Sequence, residues 1–134
     1  MTNKNVSIKR LSNRQIGAVG VARVAGALFR NGYSVLSPME DFIGYDLVAE
    51  KDGRFIRIQV KTTTKPEGDK LYYRFMTSGG CDGKKAYTKE KVDVLICWAM
   101  DEDLFWLVKP NECRGPTKKL YPRTGSSWRI ISDL

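Results

Sequence analysis

The stretch GYDLVAEKDGRFIRIQVKTT, residues 44–63, constrains the fold most, because two strand-like segments flank an Asp-Gly pair at positions 52 and 53. An Asp-Gly pair between alternating apolar residues is a strong signal for a two-residue hairpin turn, and such a turn fixes the register of both strands. We therefore predict a β-hairpin with strands at about 45–50 and 55–61.

This register brings polar residues together. With Lys51 and Arg54 as the first pair, each step away from the turn adds one further pair. The fifth step places Asp46 opposite Gln59, and directly paired residues have Cβ atoms about 5 Å apart. Side chains alternate between the two faces of a strand, so Lys61 shares the face of Gln59. The pattern predicts a cluster of one acid, one amide and one lysine.

The other face of the second strand is apolar, since Ile56, Ile58 and Val60 occupy the alternate positions. This face can pack under a helix and leave the polar cluster on the opposite side. The polar residues also fit a simpler interpretation, a solvated sheet face on which Asp46 and Lys61 form a weak surface pair. Both interpretations stay open on the pattern alone.

The residue types in the cluster suit phosphate chemistry with a hard cation. A carboxylate oxygen from Asp46 and an amide oxygen from Gln59 can bind Mg²⁺, which usually keeps several waters and takes one or two carboxylate ligands. Lys61 can hold or deprotonate a water, or stabilise the charge on a phosphate under attack.

Composition excludes several other kinds of chemistry. The 134 residues include no histidine, and the three cysteines, Cys81, Cys97 and Cys113, form no CxxC pair. This excludes the usual zinc sites and Ser-His or Cys-His catalysis. No apolar run approaches the roughly 20 residues that span a bilayer, and the N-terminus lacks the apolar stretch of a secretory signal. We expect a cytoplasmic protein with no membrane association.

The net charge of +8 and the pI near 9.5 favour a polyanionic partner. A surplus of Lys and Arg attracts phosphates over long distances. The segment GKKAYTKEK, residues 83–91, concentrates this charge and is predicted to contact phosphate.

One domain over residues 1–134 is the simplest organisation, with a helix first and strands after it. Ser12 and Asn13 can cap a helix over about 13–31, whose apolar stripe should lie on a sheet. Further strands are predicted at YSVLS, at 71–78, at 92–100 and at LFWLV. This order predicts an α/β (α+β) domain with a mixed central β-sheet.

Both ends of the chain are predicted to be less regular. Residues 1–13 form a basic arm that either touches phosphate or frays. Residues 110–134 are rich in Pro, Gly and Arg and are predicted to be mostly loop, with a short strand or turn near Trp128.

The motif YDLV…IQVKT resembles the D-x(n)-(E/Q)-x-K signature of the PD-(D/E)XK nuclease superfamily. With the preceding helix and GYSV strand, residues 17–63 are similar to the group I intron homing endonucleases of that fold. They resemble Holliday junction resolvases more loosely. The resemblance implies a restriction-endonuclease-like core with Asp46, Gln59 and Lys61 as catalytic residues, and with Asp46, Gln59 and the Val60 carbonyl as metal ligands.

The resemblance also implies a partner and a cofactor: double-stranded DNA, cut by a homodimer or homotetramer with Mg²⁺, for which Mn²⁺ can substitute. The residues expected to contact DNA are basic or aromatic and follow the hairpin. They are Lys65, Arg74, Lys84, Lys85, Tyr87, Lys89 and Lys91.

One departure from the family pattern affects the metal site. Members usually carry a glutamate in the first helix, near the position of Val21, and this helix contains no acid. Glu40, Asp41 or Glu50 could substitute, although Glu50 is expected to lie far up the strand. We predict a metal-dependent DNA endonuclease, most like a homing enzyme. A structure-specific junction resolvase, a DNA-binding module without cleavage and a basic RNA-binding domain are the alternatives.

Overall fold

The structure, a computed structural model, describes residues 10–40, 43–79, 85–86 and 88–134. Its regular elements are one helix, nine strands and three short 3₁₀ helices within those residues. In chain order they are α1 (Asn13–Arg30), β1 (Ser34–Leu36), β2 (Leu47–Lys51), β3 (Arg54–Thr63), β4 (Tyr73–Met76), β5 (Ser78–Gly79), β6 (Lys85–Ala86), β7 (Val94–Ala99), β8 (Leu104–Val108), 3₁₀ Pro110–Glu112, β9 (Thr117–Leu120), 3₁₀ Pro122–Thr124 and 3₁₀ Trp128–Asp133.

Helix α1 begins and ends where its capping residues predict. The Gln15 N–H donates to the Ser12 hydroxyl at 3.2 Å, and the Ser12 N–H donates to the Gln15 side chain at 2.8 Å. This reciprocal capping box satisfies two N–H groups that the first helical turn leaves unpaired. Asn31 and Gly32, which has φ +84°, end the helix.

The central sheet is mixed, as predicted. Its strand order is β1-β2-β3-β7-β8, in which β3 and β7 are parallel and the other neighbours are antiparallel. Helix α1 covers one face of this sheet through Val24, Ala27 and Leu28, which pack on a cluster that includes Ile58 and Ile96. We call this cluster the helix-side core. The α+β prediction is therefore confirmed.

A second cluster lies on the opposite face of the sheet. Leu95, Cys97 and Trp106 contribute to it from β7 and β8, while Tyr73 and Phe75 contribute from β4. Strand β4 pairs with β9 as a separate two-stranded antiparallel ribbon instead of joining the central sheet. We call this second cluster the ribbon-side core.

The irregular tail is where the sequence interpretation was wrong. Residues 117–120 form β9 rather than loop, because their strand conformation depends on pairing with β4, more than 40 residues earlier. The segment at Trp128 is a 3₁₀ helix that packs against the helix-side core. Most of the basic arm, residues 1–9, lies outside the described residues.

Three hydrogen bonds meet at the Asp103 carboxylate in the β7–β8 turn, and two of them come from helix α1. Arg23 binds Asp103 through two hydrogen bonds of 2.9 and 3.0 Å, and the Trp98 indole N–H donates to it at 2.6 Å. In the part of the chain that the structure describes, no helix is long and apolar enough to cross a membrane.

Helix α1 approaches β3 so closely at Gly20 that a side chain there would overlap the Thr62 hydroxyl. We predict that Gly20→Ala lowers the free energy of unfolding by about 1–3 kcal/mol, because overpacking forces the helix away from the sheet. Chemical denaturation measures the change.

Gly26 is the matched control, since a Cβ at that position meets nothing within 4 Å. Gly26→Ala should stabilise the protein by about 0.5–1 kcal/mol, the usual gain for replacing a helical glycine. Equal effects of the two substitutions would contradict the close approach at Gly20.

Candidate active site

The hairpin follows the predicted register as far as its last pair. Lys51 pairs with Arg54, and the ladder continues to Leu47 opposite Ile58, where it ends. The next residue, Asp46, donates its backbone N–H to the Ile58 carbonyl at 2.8 Å.

Asp46 is therefore not the ladder partner of Gln59 that the register predicts. Its carboxylate instead accepts the backbone N–H of Val60 at 2.9 Å. At Asp46 the main chain leaves the ladder. The Asp46 carboxylate takes the place of the main-chain carbonyl that would otherwise accept the Val60 N–H. The acid is thus fixed to β3 between the two other candidate residues, Gln59 and Lys61.

The backbone of Val60 faces the gap beyond the end of β2. On the β7 side of β3, Arg57 and Thr63 accept N–H groups from Asp93 and Met100 at 3.0 and 2.8 Å. Successive backbone groups of a strand alternate in direction, so the N–H and carbonyl of Val60 point the other way. The Val60 carbonyl therefore lies on the side of β3 that Asp46 occupies.

Gln59 and Lys61 lie on the ribbon side of the sheet. They pair in parallel with Leu95 and Cys97, which belong to the ribbon-side core. Both polar side chains are half-buried. The predicted separation from the isoleucine face is confirmed, because Ile58 and Val60 pack in the helix-side core.

Burial raises the pKa of the Asp46 carboxyl above its ordinary value of 3.8. The Val60 N–H and the charge of Lys61 lower the pKa in part without cancelling the effect of burial. A half-buried acid with a raised pKa is not what a solvated surface pair produces, and such groups cluster at functional sites.

Arg57, to which the sequence interpretation gave no role, holds the segment before β7. Its guanidinium donates to the Glu90 and Lys89 carbonyls at 2.6 and 2.9 Å and forms two bonds of 3.1 Å with the Asp93 carboxylate. The sequence holds one sign of this role. Arg57 is a charged residue in the middle of a strand, and it points to the same face as Gln59. The hydrogen bonds from Arg57 lower the pKa of Asp93.

The predicted DNA-binding residues fall into two groups. Those with described side chains are exposed, namely Lys65, Arg74, Lys89 and Lys91. The structure does not describe the side chains of the other three. Lys84 and Tyr87 lie outside the described residues, and Lys85 is described only as part of β6.

Two of the three acids considered as substitutes for the missing helix glutamate have described positions. Glu50 accepts the Gly53 N–H at 2.9 Å and so stabilises the hairpin turn, while Glu40 is exposed in a loop. Asp41 lies outside the described residues. Val21 is half-buried against the helix-side core.

The donor set limits which cation could bind. Within the described ranges, no three Asp, Glu, Cys or His side chains are grouped to hold a metal ion. Asp46 offers a carboxylate, the Val60 carbonyl lies on the same side of β3 as Asp46, and Gln59, the residue before Val60, carries an amide oxygen. This all-oxygen set fits a Mg²⁺ ion that retains most of its waters and does not fit a soft metal.

Comparison with known proteins identifies the family. The sequence profile of the PD-(D/E)XK endonucleases matches residues 11–125. The chain belongs to this family. The match confirms the resemblance to the PD-(D/E)XK nucleases.

Two known proteins are similar to this PD-(D/E)XK chain. Protein 5.3 of Escherichia phage T7 is 34% identical over 101 residues, which cover 75% of this chain and 83% of that protein. The structure of a bacterial homing endonuclease, I-Ssp6803I, has a TM-score of 0.77 at 18% identity and covers 92% of this chain and 95% of its own. The second comparison confirms the fold.

The raised pKa of Asp46 predicts that this acid costs stability. Its ionised form is disfavoured in the folded protein, so the cost is complete at neutral pH and disappears as the pH falls below the ordinary pKa of 3.8. We expect Asp46→Asn, which keeps an oxygen for the Val60 N–H, to raise the free energy of unfolding at pH 7. Denaturation at pH 3 and pH 7 measures the difference.

Asp93→Asn is the control of opposite sign. The lowered pKa of Asp93 means that its carboxylate stabilises the fold above pH 3.8, and this stability is lost as the pH falls through the folded pKa. Asp93→Asn should therefore be less stable than the natural protein at pH 7 and nearly equal to it at low pH. If Asp46→Asn also lowered the free energy of unfolding at pH 7, the stability cost assigned to the Asp46 carboxylate would be contradicted.

Proposed function

We propose that this PD-(D/E)XK domain is a metal-dependent endonuclease that hydrolyses phosphodiester bonds in double-stranded DNA. The observation that carries the proposal is the Asp46 carboxylate, held by the Val60 N–H at 2.9 Å on the strand of Gln59 and Lys61. Asp46, Gln59 and the Val60 carbonyl would hold Mg²⁺, and Mn²⁺ could substitute.

Each residue of the site has a distinct task in this proposal. Bound Mg²⁺ would lower the pKa of a water and offset charge on the phosphate. Asp46 supplies the negative charge at the site, and its bond to Val60 keeps the carboxylate in place before substrate arrives. Lys61 places its ammonium beside the phosphate, where it stabilises the charge that develops on the oxygens.

Site-specific cleavage of the homing type is the finer proposal. It is supported by the fold shared with a homing endonuclease and by the basic charge of the chain. Cutting both strands of a duplex usually requires one active centre for each strand. We therefore expect a homodimer or homotetramer.

A DNA-binding protein without cleavage is the second candidate function. It is favoured by the lack of an acid in α1 and by the absence, among the described residues, of a three-acid metal group. Sequence-specific binding with no cutting in Mg²⁺ or Mn²⁺ would support this candidate. A junction resolvase would instead cut four-way junctions regardless of sequence.

The central test is cleavage by the purified protein of a plasmid library of candidate target sites in the presence of Mg²⁺. We expect Asp46→Asn and Lys61→Gln to reduce cutting by at least about 100-fold, because each removes a charge that the transition state needs. Binding to the same DNA should change by less than about threefold, since neither residue supplies the main phosphate contacts.

Lys51→Gln is the matched control for Lys61. Lys51 lies in the same hairpin as Lys61, but its ammonium binds the Asn31 carbonyl at 3.0 Å and lies over the Tyr33 ring. Lys51 therefore contacts the end of helix α1. This variant should cut within about twofold of the natural protein. Undiminished cutting by Asp46→Asn would overturn the assignment of the site.

Gln59→Glu tests whether a carboxylate at position 59 can make up for the acid that helix α1 lacks. A second carboxylate beside Asp46 should strengthen divalent binding, because charged oxygen ligands attract Mg²⁺ more than an amide does. We expect the Mg²⁺ concentration for half-maximal cutting to fall by about tenfold. An unchanged requirement would show that position 59 does not contribute to the metal site.

A further inference from the structure

The two-stranded ribbon of β4 and β9 has an outward face whose side chains are ordered in three rungs. Its inward residues, Tyr73, Phe75 and Leu120, are buried in the ribbon-side core. Strand alternation therefore places the intervening residues on the opposite, outward face. Two rungs of this outward face are the ladder pairs Arg74 with Lys119 and Met76 with Thr117. The third rung is Tyr72 with Tyr121, whose rings meet just beyond the end of the ladder.

The middle rung places two cations opposite each other. Arg74 and Lys119 are direct ladder partners, and both are exposed. Like charges that face each other across a sheet are destabilising. Glu67, 3.5 Å from Arg74, offsets part of the repulsion.

The aromatic rung extends the positive charge. The Tyr72 and Tyr121 rings lie 5.9 Å apart in an edge-on arrangement. Lys119 lies 4.9 Å from the centre of the Tyr72 ring, and Arg123 lies 4.9 Å from that of Tyr121. These ring contacts hold Lys119 and Arg123 at the surface and limit the conformational freedom of the two side chains. This reduces the conformational entropy that they lose on binding a ligand.

The ribbon stands on the same face of the central sheet as the candidate active site. Its buried residues pack with Leu95 and Cys97, which are the parallel partners of Gln59 and Lys61. The ribbon and the candidate active site therefore share one face of the central sheet.

We propose that the outward face of the β4–β9 ribbon enters the major groove of duplex DNA, with Arg74 and Lys119 as its main contacts. The major groove admits a two-stranded antiparallel ribbon, and arginine and lysine bind the guanine edge there. Met76 and Thr117 supply apolar contact for thymine methyl groups. The inference rests on the proposed action on duplex DNA and names the surface that selects the target.

The test compares two double substitutions that each remove two positive charges. Arg74→Gln with Lys119→Gln alters the ribbon. Arg30→Gln with Arg129→Gln is the matched control, because both of these arginines also lie over an aromatic ring, Trp128, which packs against the helix-side core.

Binding is measured with a fluorescent duplex of mixed sequence in EDTA, so that cleavage cannot occur, over a series of salt concentrations. We expect the ribbon variant to bind at least about tenfold more weakly and its salt dependence, as a log–log slope, to decrease by about 2. The control should retain most of its affinity. Thermal melting checks that both variants are folded, which their exposed positions favour.

The groove is tested with a duplex whose cytosines carry glucosylated 5-hydroxymethyl groups, which fill the major groove. Weaker binding of this duplex, and no competition from the minor-groove ligand netropsin, would support the proposal. Competition by netropsin, or preference for single-stranded RNA over the duplex, would overturn it.

The outcomes separate this proposal from the proposed function. Equal losses in the two double variants, or no loss in the ribbon variant, would overturn the ribbon surface even if the protein cuts DNA. Ribbon-dependent binding without cutting in Mg²⁺ or Mn²⁺ would support the ribbon surface and overturn the endonuclease function.

Discussion

The hydrogen bond between the Asp46 carboxylate and the Val60 N–H is the contact on which the candidate site depends. It exists because β2 begins only at Leu47 while its antiparallel partner β3 continues to Thr63, so that the longer strand has backbone groups without a strand partner on one side. An acid placed directly before β2 satisfies one of these groups. The same bond that completes the sheet edge thus holds a carboxylate away from water, at a cost in stability.

The two faces of the central sheet have separate roles. The helix-side core holds α1 against β3 and fixes Gly20 on Thr62, so this face is determined by packing. The other face carries Gln59, Lys61 and the guanidinium of Arg57, and the β4–β9 ribbon packs on this face through the ribbon-side core, with β4 against β3. Half-buried polar groups on a packed sheet are held in place without being fully buried.

The sequence predicts those parts of the molecule that depend on local rules. The helix cap at Ser12, the Asp-Gly turn and the alternation along β3 each involve residues close in the chain, and all agree with the structure. The position of Asp46 differs because its carboxylate replaces a main-chain acceptor, which the register rule does not consider. Strand β9 was missed because TKKL has one large apolar residue and becomes a strand only against β4. Arg57 was missed as a positioning group because its partners, at 89–93, are more than 30 residues away.

The contacts of Arg57 have a consequence for handling the protein. Two of them are to main-chain carbonyls, which carry no net charge, whereas attraction between DNA and exposed lysines is screened by added salt. Concentrated salt should therefore strip nucleic acid from the purified chain while the segment before β7 keeps its place on β3. Chromatography in high salt, followed by dilution onto a defined duplex, is accordingly a suitable route to homogeneous complexes for crystallisation.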